Sequence, residues 1–295
     1  KLKNAPLVTN YYNIDNPENW IIPNYYENLS IILHGPGADQ KANLFASKIK
    51  ANRDHNITIV SSMVFDGASY SESVDLVNAI KVVKLFNPPE FKKDRYFNQN
   101  CQILSMQYAN KWLEKNSNLN DLYVLKMRAD SVICLRKLLI TIFCFQEIIS
   151  HKFGEDFRLW GIDLHTHKNL PYGFCDVLMF STYEEINLFW SCPPMSSEIE
   201  TFMKEWTGNA ELVSGEVWHT MNYLKKKGFN LSGDALSLYR DALASFFGVL
   251  PAIDLGFSLP KFRTGKFVGK SDIQPLPNYL EFYEWLEIVL SKSKK

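Results

Sequence analysis

The sequence predicts an α/β protein with a mostly parallel sheet, helices on both faces and a helical C-terminal extension. Two observations carry this expectation. Short apolar runs at Leu29 to Leu33, Ile57 to Ser62 and Val82 to Phe86 have the length of strands buried on both sides. Stretches with helical spacing lie between them, and strand, helix, strand alternation is the signature of a parallel sheet covered on both faces.

The elements follow in order. Residues 1–28 are rich in Asn, Tyr and Pro without sustained periodicity, and are expected to form an arm laid over the domain. The core, residues 29–192, opens with the strand Leu29 to Leu33, which runs into the turn His34-Gly35-Pro36-Gly37. Asp39 offers a cap for a helix over Lys41 to Lys50, with Leu44, Phe45 and Ile49 on one face. After the strand Ile57 to Ser62 comes a helical pattern, Ser73 to Ile80, and then the strand Val82 to Phe86, stopped by Pro88-Pro89. Asn100 to Glu114 carries Ile103, Leu104, Gln107, Tyr108, Lys111 and Trp112 at helical spacing. Leu122 to Ile133 is taken as the central strand, followed by a helix over Leu135 to Ser150 and strands at Phe157 to Ile162 and Val177 to Ser181. Thr182 with Glu185 reads as a capping box for a helix over Tyr183 to Trp190. In the remaining part, residues 193–295, helices are expected at Ser197 to Trp206, Ser214 to Lys227 (closed by Gly228) and Leu280 to Ser291.

Composition narrows the function classes. With 295 residues the chain is long enough for a substantial core, and 14% aromatic with 22% charged residues is globular usage. Lys and Arg number 32, as do Asp and Glu, so no net basic field draws the chain onto nucleic acid. The basic runs Lys225 to Lys227 and Lys292, Lys294, Lys295 read as solvated helix ends or a frayed terminus, giving at most a peripheral membrane contact. Cys101, Cys134, Cys144, Cys175 and Cys192 lie mostly in apolar stretches without a C-x-x-C pair, and read as buried thiols of a reducing, cytoplasmic compartment. Leu138 to Ile149 is interrupted by Gln146 and Glu147 and is shorter than the ~20 residues of a membrane-spanning helix.

Chemistry concentrates in Asp121 to Ile133, DLYVLKMRADSVI. Strand alternation puts Tyr123, Leu125, Met127 and Ala129 on one face, and Lys126, Arg128 and Asp130 on the other. A central parallel strand should be apolar on both faces, and an unpaired buried charge costs several kcal/mol. Either the strand is an exposed edge, or its charges pair with neighbouring elements, or its carboxyl end opens into a pocket where such sheets place ligands. In the last case Asp130 suits Mg²⁺ or Mn²⁺ beside a substrate phosphate.

The strand ending in LKMRAD, preceded by NQNCQILS (Asn98 to Ser105), resembles the K-x-R-x-D and N-x-x-x-Q-type segments of the WavE-like family of lipopolysaccharide and capsule glycosyltransferases. SIILHGPG (Ser30 to Gly37), ITIVSS (Ile57 to Ser62) and GFCDVLMFSTYEEINLFW (Gly173 to Trp190) are similar to that family in character, so the resemblance covers about the first two thirds of the chain. It implies a GT-A-like, Rossmann-related fold that moves a sugar from a nucleotide-sugar donor to a glycan or glycolipid acceptor of the bacterial surface. Asp130 would anchor the metal, with Lys126 and Arg128 as electrostatic helpers. His34, Gly35, Gly37, Ser61, Ser62 and Gln102 would border the donor, and residues 193–295 would serve the acceptor. Position 128 is Arg where a D-x-D signature has Asp, leaving one carboxylate where two are common. The rival expectation is a non-catalytic nucleotide- or glycan-binding module on the same fold. An NAD-type dehydrogenase is disfavoured, because no glycine fingerprint follows the first strand.

Sugar transfer also needs a base for the acceptor hydroxyl. Asp176 is the first candidate, placed before an apolar strand, with a cap or turn role as the bland alternative. Glu211 and Glu216 come second, Glu216 sitting where helix N-termini commonly carry acids. His165 and His167 lack a third ligand, and His219 reads as core. Trp206, Trp218, Tyr223 and Tyr239 suit either sugar stacking or core filling.

Overall fold

The computed structural model describes residues 16–90, 93–154, 157–164, 166–207, 214–257 and 279–292. Its centre is an eight-stranded sheet, ordered β3-β4-β2-β1-β5-β7-β6-β8. The strands are β1 (Asn28–His34), β2 (Asn56–Val64), β3 (Ser71–Val77), β4 (Ile80–Asn87), β5 (Tyr123–Arg128), β6 (Leu159–Ile162), β7 (Leu178–Thr182) and β8 (Phe247–Leu250). The helices are α1 (Ala38–Lys48), α2 (Phe97–Asn116), α3 (Leu135–Phe153), α4 (Tyr183–Trp190), α5 (Ser197–Thr207), α6 (Gly215–Lys226), α7 (Ala235–Phe246) and α8 (Phe282–Lys292).

The run β4-β2-β1-β5 is parallel throughout, and its strands are buried because helices cover both faces. On one face lie α2 and α4. Ser62 Oγ donates to Ser105 O of α2 at 2.7 Å, and the Lys126 ammonium stands over the Trp190 ring of α4. On the other face Tyr123 meets Tyr26 and Phe180, and Tyr26 Oη donates to Leu139 O of α3. β7 enters antiparallel to both β5 and β6, and β8 then pairs parallel with β6, so the sheet is mixed beyond β5. Among the described part of the arm, a 3-10 helix (Pro17–Trp20) buries Trp20 against Phe45 of α1, and Tyr26 is fully buried.

Several expectations change. Ser73 to Ile80 is not helical: it is edge strand β3 with its turn, exposed along nearly its whole length and antiparallel to β4. The central strand ends at Arg128, not at Ile133. There Ser131 N and Oγ both fold back onto Arg128 O and make a turn that carries Asp130. Gly37, with φ +77°, takes the N-cap of α1 in place of Asp39, which sits in the first turn. Thr182 is the N-cap of α4 but makes no capping side-chain bond. Glu185 instead accepts from Tyr223 Oη and pairs with Lys227 across to α6. The C-terminal part contributes β8 to the sheet as well as helices. The thiols are not uniformly buried: Cys144 is exposed and Cys101 half-buried, and all five cysteines are free. No helix among the described residues is long and apolar enough to cross a membrane.

Candidate functional site

The chain leaves β1 into α1 on one side and returns to β5 through α2 on the other. A crevice therefore opens beyond the carboxyl ends of β1 and β5, the place where open α/β sheets bind ligands. A cavity of about 630 Å³ occupies that position. His34, Gly35 and Arg128 form its polar wall, and Gln102 of α2 closes one side. Met63, Phe65 and Phe97 supply an apolar wall, with Cys101 beside them.

Each side chain has a local reason for its place. Gly35 (φ +93°) and Gly37 (φ +77°) hold left-handed backbone that a side chain would strain, and so turn the chain sharply from β1 into the N-terminus of α1. The first amides of that helix face the crevice end of the sheet, where a helix N-terminus favours negative charge. Arg128, the last residue of β5, is held in a two-point pair with Asp130: Nε to Oδ1 at 2.9 Å and Nη2 to Oδ2 at 2.8 Å. The two side chains remain 30% and 39% exposed. The pair raises the Arg128 pKa further. Lys41 of α1 lies within reach of the Asp130 charge, which counters the lowering of its pKa by burial.

Beneath this rim lies a buried polar cluster. Gln102 Nε2 donates to Asp176 Oδ2 at 2.7 Å, and the Lys126 ammonium donates to Asp176 O. Lys126 is fully buried, 4.5 Å from the Trp190 ring centroid. Burial lowers its pKa to about 8, with the charges of Asp176 and Glu216 acting in the opposite direction. His219 of α6, also buried, places Nδ1 3.0 Å from Cys192 Sγ, and burial lowers its pKa to about 4. His34 is 4% exposed, and among the described residues its Nε2 has no hydrogen-bond partner. Burial, then the charges of Lys126 and Arg128, push its pKa well below the ordinary imidazole value, so the ring is neutral.

Of the residues singled out from sequence, His34, Gly35, Gln102 and Arg128 line one cavity. Gln102 ties Asp176 to it, and Arg128 ties Asp130 to it. Gly37 caps the adjoining helix, and Glu216 acts on Lys126 through its charge. Ser61 and Ser62 are buried in β2, Ser62 bonded to α2, and the border expected of them is taken by Met63, Val64 and Phe65. Gln102 turns its amide to Asp176 while it lines the cavity. Glu211 and His165 lie outside the described residues, as does the side chain of Trp206. His167 packs its ring on Tyr279, which feels the charges of Cys175 and Glu216. Sequence reasoning missed Phe65 and Phe97. The signals were the continuation of the β2 apolar run past Ser62 and an aromatic at the true start of α2.

Among the described residues no three His, Cys, Asp or Glu side chains cluster around a common point, and both Asp130 oxygens accept from Arg128. Asp130 alone would therefore supply one carboxylate to a Mg²⁺ or Mn²⁺ ion, whose remaining oxygen ligands would be water and substrate phosphate.

The site thus belongs to a mixed α/β sheet protein with a ligand-sized crevice at a strand-order reversal. No family model and no curated protein matches the chain. Among solved structures it is similar to the glycosyltransferase GlyE of Streptococcus pneumoniae TIGR4, with a TM-score of 0.30 and 10% identity over 89% of this chain and 60% of that one. The apo form of GlyE gives 0.29 and 11% over the same shares. The chain spans 60% of the length of those structures, and at this level of likeness the site is read from its own geometry.

Proposed function

We propose that the cavity holds a nucleotide-sugar and that the chain is a glycosyltransferase. The observation that carries this is a crevice at the sheet's switch point lined by the Arg128 guanidinium and by Gln102, whose amide holds the Asp176 carboxylate buried just behind it. The diphosphate would face Arg128 and the glycine-turned N-terminus of α1, where cation and amide dipoles suit its charge. The nucleoside would rest on Met63, Phe65 and Phe97. Asp176 is the base of this reading: it takes the proton of the acceptor hydroxyl as that oxygen bonds the anomeric carbon. The bond from that carbon to the diphosphate breaks, and the nucleoside diphosphate leaves with the electron pair. Arg128 stabilises the charge that builds on the leaving group, and no step is assigned to a metal. The parallel run β4-β2-β1-β5 supports a GT-A-like, Rossmann-related assignment, and the family resemblance supports a surface glycan or glycolipid as acceptor.

The test is calorimetric titration with a panel of nucleoside diphosphates, with and without Mn²⁺. Arg128→Ala is expected to weaken binding about tenfold or more, as loss of charge-assisted hydrogen bonds does. Asp176→Asn should leave binding within a factor of about three and abolish donor turnover. Asp130→Ala reports on the cation, because loss of a Mn²⁺ enhancement would assign it to that carboxylate. Unchanged affinity in Arg128→Ala would remove the reading. The lone, engaged carboxylate favours a second reading, a non-catalytic binding module, which donor hydrolysis by the wild type in the absence of acceptor would exclude.

A further inference from the structure

A second cavity, about 330 Å³, lies on the outer face of α6, lined by side chains from α5, α6 and the segment that follows Gly228. On α6 the residues Trp218, Met221, Asn222 and Lys225 recur at i, i+3, i+4 and i+7, so they form one stripe. Buried His219 and Tyr223 face the core on the other side. The stripe starts two residues from Glu216 and follows the helix away from the buried cluster for roughly 10 Å at 1.5 Å per residue.

We infer that this groove binds pyranose rings of an oligosaccharide. Its walls are aromatic. Trp218 is fixed by its Nε1 donating to Pro193 O at 2.9 Å, Phe229 is half-buried, and Phe202 of α5 stands 52% exposed. Sugar rings present C–H faces that pack on aromatic rings, while their hydroxyls both donate and accept. The two asparagines match that duality. Asn222 Nδ2 is bonded to Trp218 O, which leaves the amide oxygen as the acceptor. Asn230 Oδ1 is bonded to Ser232 N, which leaves its NH₂ as a donor. Among the described residues no carboxylate lines the groove and Lys225 is its one cation, which suits a neutral or carboxylate-bearing sugar better than a phosphate, for which clustered cations would be expected. The volume falls at the small end of ligand sites, the size of a short saccharide and less than an amphipathic helix needs. The occupant is argued as a segment of the acceptor chain, and in that respect the inference rests on the proposed function. The groove itself is separate from the donor cavity.

The test is titration of the whole protein with unphosphorylated oligosaccharides, followed by ligand-observed NMR and calorimetry without nucleotide. A dissociation constant on the order of 1 mM or tighter is expected, with Phe202→Ser and Asn230→Ala each weakening it about fivefold to tenfold, as loss of one stacking face or one hydrogen bond does. Both residues are exposed, so the variants should keep the wild-type melting temperature and the wild-type affinity for nucleoside diphosphates. Absence of saccharide binding, or binding indifferent to both substitutions, overturns the groove. Saccharide binding that responds to them, in a protein with no affinity for any nucleoside diphosphate, upholds the groove and removes the transferase reading instead.

Discussion

His219 shows how a single buried side chain makes stability depend on pH. Its pKa falls from 6.5 to about 4 because burial disfavours the imidazolium, the nearby Lys126 ammonium adding to this and Asp176 opposing it. Between those values the unfolded chain binds the proton and the folded chain does not. Stability is therefore fully present above pH 6.5 and falls as the pH drops towards 4, by about 3 kcal/mol for this residue. His34, lowered in the same direction for the same first cause, adds to the effect. Urea unfolding midpoints measured from pH 7 to pH 4.5 should drop steeply, and His219→Gln should flatten the curve, since glutamine has no proton to gain. An unchanged slope in the variant would show that the imidazole is not held neutral. Much of the site was legible at this scale: three charges on one strand face demanded partners, and Lys126 has them in Asp176 O and Trp190, Arg128 in Asp130. What could not be read from residue types was the assignment of partners. Gln102 and Asp176 are 74 positions apart, and only the packing of α2 against the sheet and α4 brings them to 2.7 Å.

Secondary elements were readable where one period dominated. In Ser71–Val77 two periods compete: Val74 and Val77 are three apart and Leu76 and Ile80 four apart, yet Val74 and Leu76 also alternate as in a strand. Tertiary pairing with β4 decides for the strand. The decisive local signal is the two-residue turn between paired Val77 and Ile80, where Asn78 (φ +50°) and Ala79 (φ +65°) both lie in the left-handed region, as a type I′ turn demands. Asparagine tolerates that region, and its Nδ2 reaches Ser47 O of α1, whereas alanine is strained there. Ala79→Gly should therefore raise stability by roughly 0.5–1 kcal/mol, measured by chemical denaturation, and a loss would argue against the turn geometry. The opposite result is expected at Gly248 of β8, where an added Cβ would sit inside the Trp160 ring. Gly248→Ala should cost about 1–3 kcal/mol or more, unless the indole moves. α7 and β8 escaped sequence reading because helix and strand abut at Phe246 and Phe247 with no loop to separate their periods, although the Asp234 cap, accepting from Ser237 N, marked the helix start.

At the scale of the molecule, the sheet sorts the five free thiols into three environments, and their reactivity reads out the whole architecture. Cys144 is exposed on α3, Cys101 is half-buried in the cavity wall, and Cys134, Cys175 and Cys192 are buried. Burial holds the Cys101 thiol up at about 11 and Cys175 and Cys192 at about 12, so little thiolate is present at neutral pH even where a reagent can enter. A maleimide at pH 7 should therefore label Cys144 first and Cys101 much more slowly, and the other three only on unfolding. Because Cys101 shares the cavity with Arg128 and Gln102, a saturating nucleoside diphosphate should slow Cys101 alone and leave Cys144 unaffected. Peptide mass mapping across a time course separates the sites. An oligosaccharide bound in the α6 groove, which contains no cysteine, should protect neither. Protection of Cys101 by nucleotide would place the ligand at the carboxyl ends of β1 and β5 without relying on turnover. Equal protection of Cys144 would mean a global tightening of the fold, and loss of order in the labelling series would contradict the burial pattern on which both cavities depend.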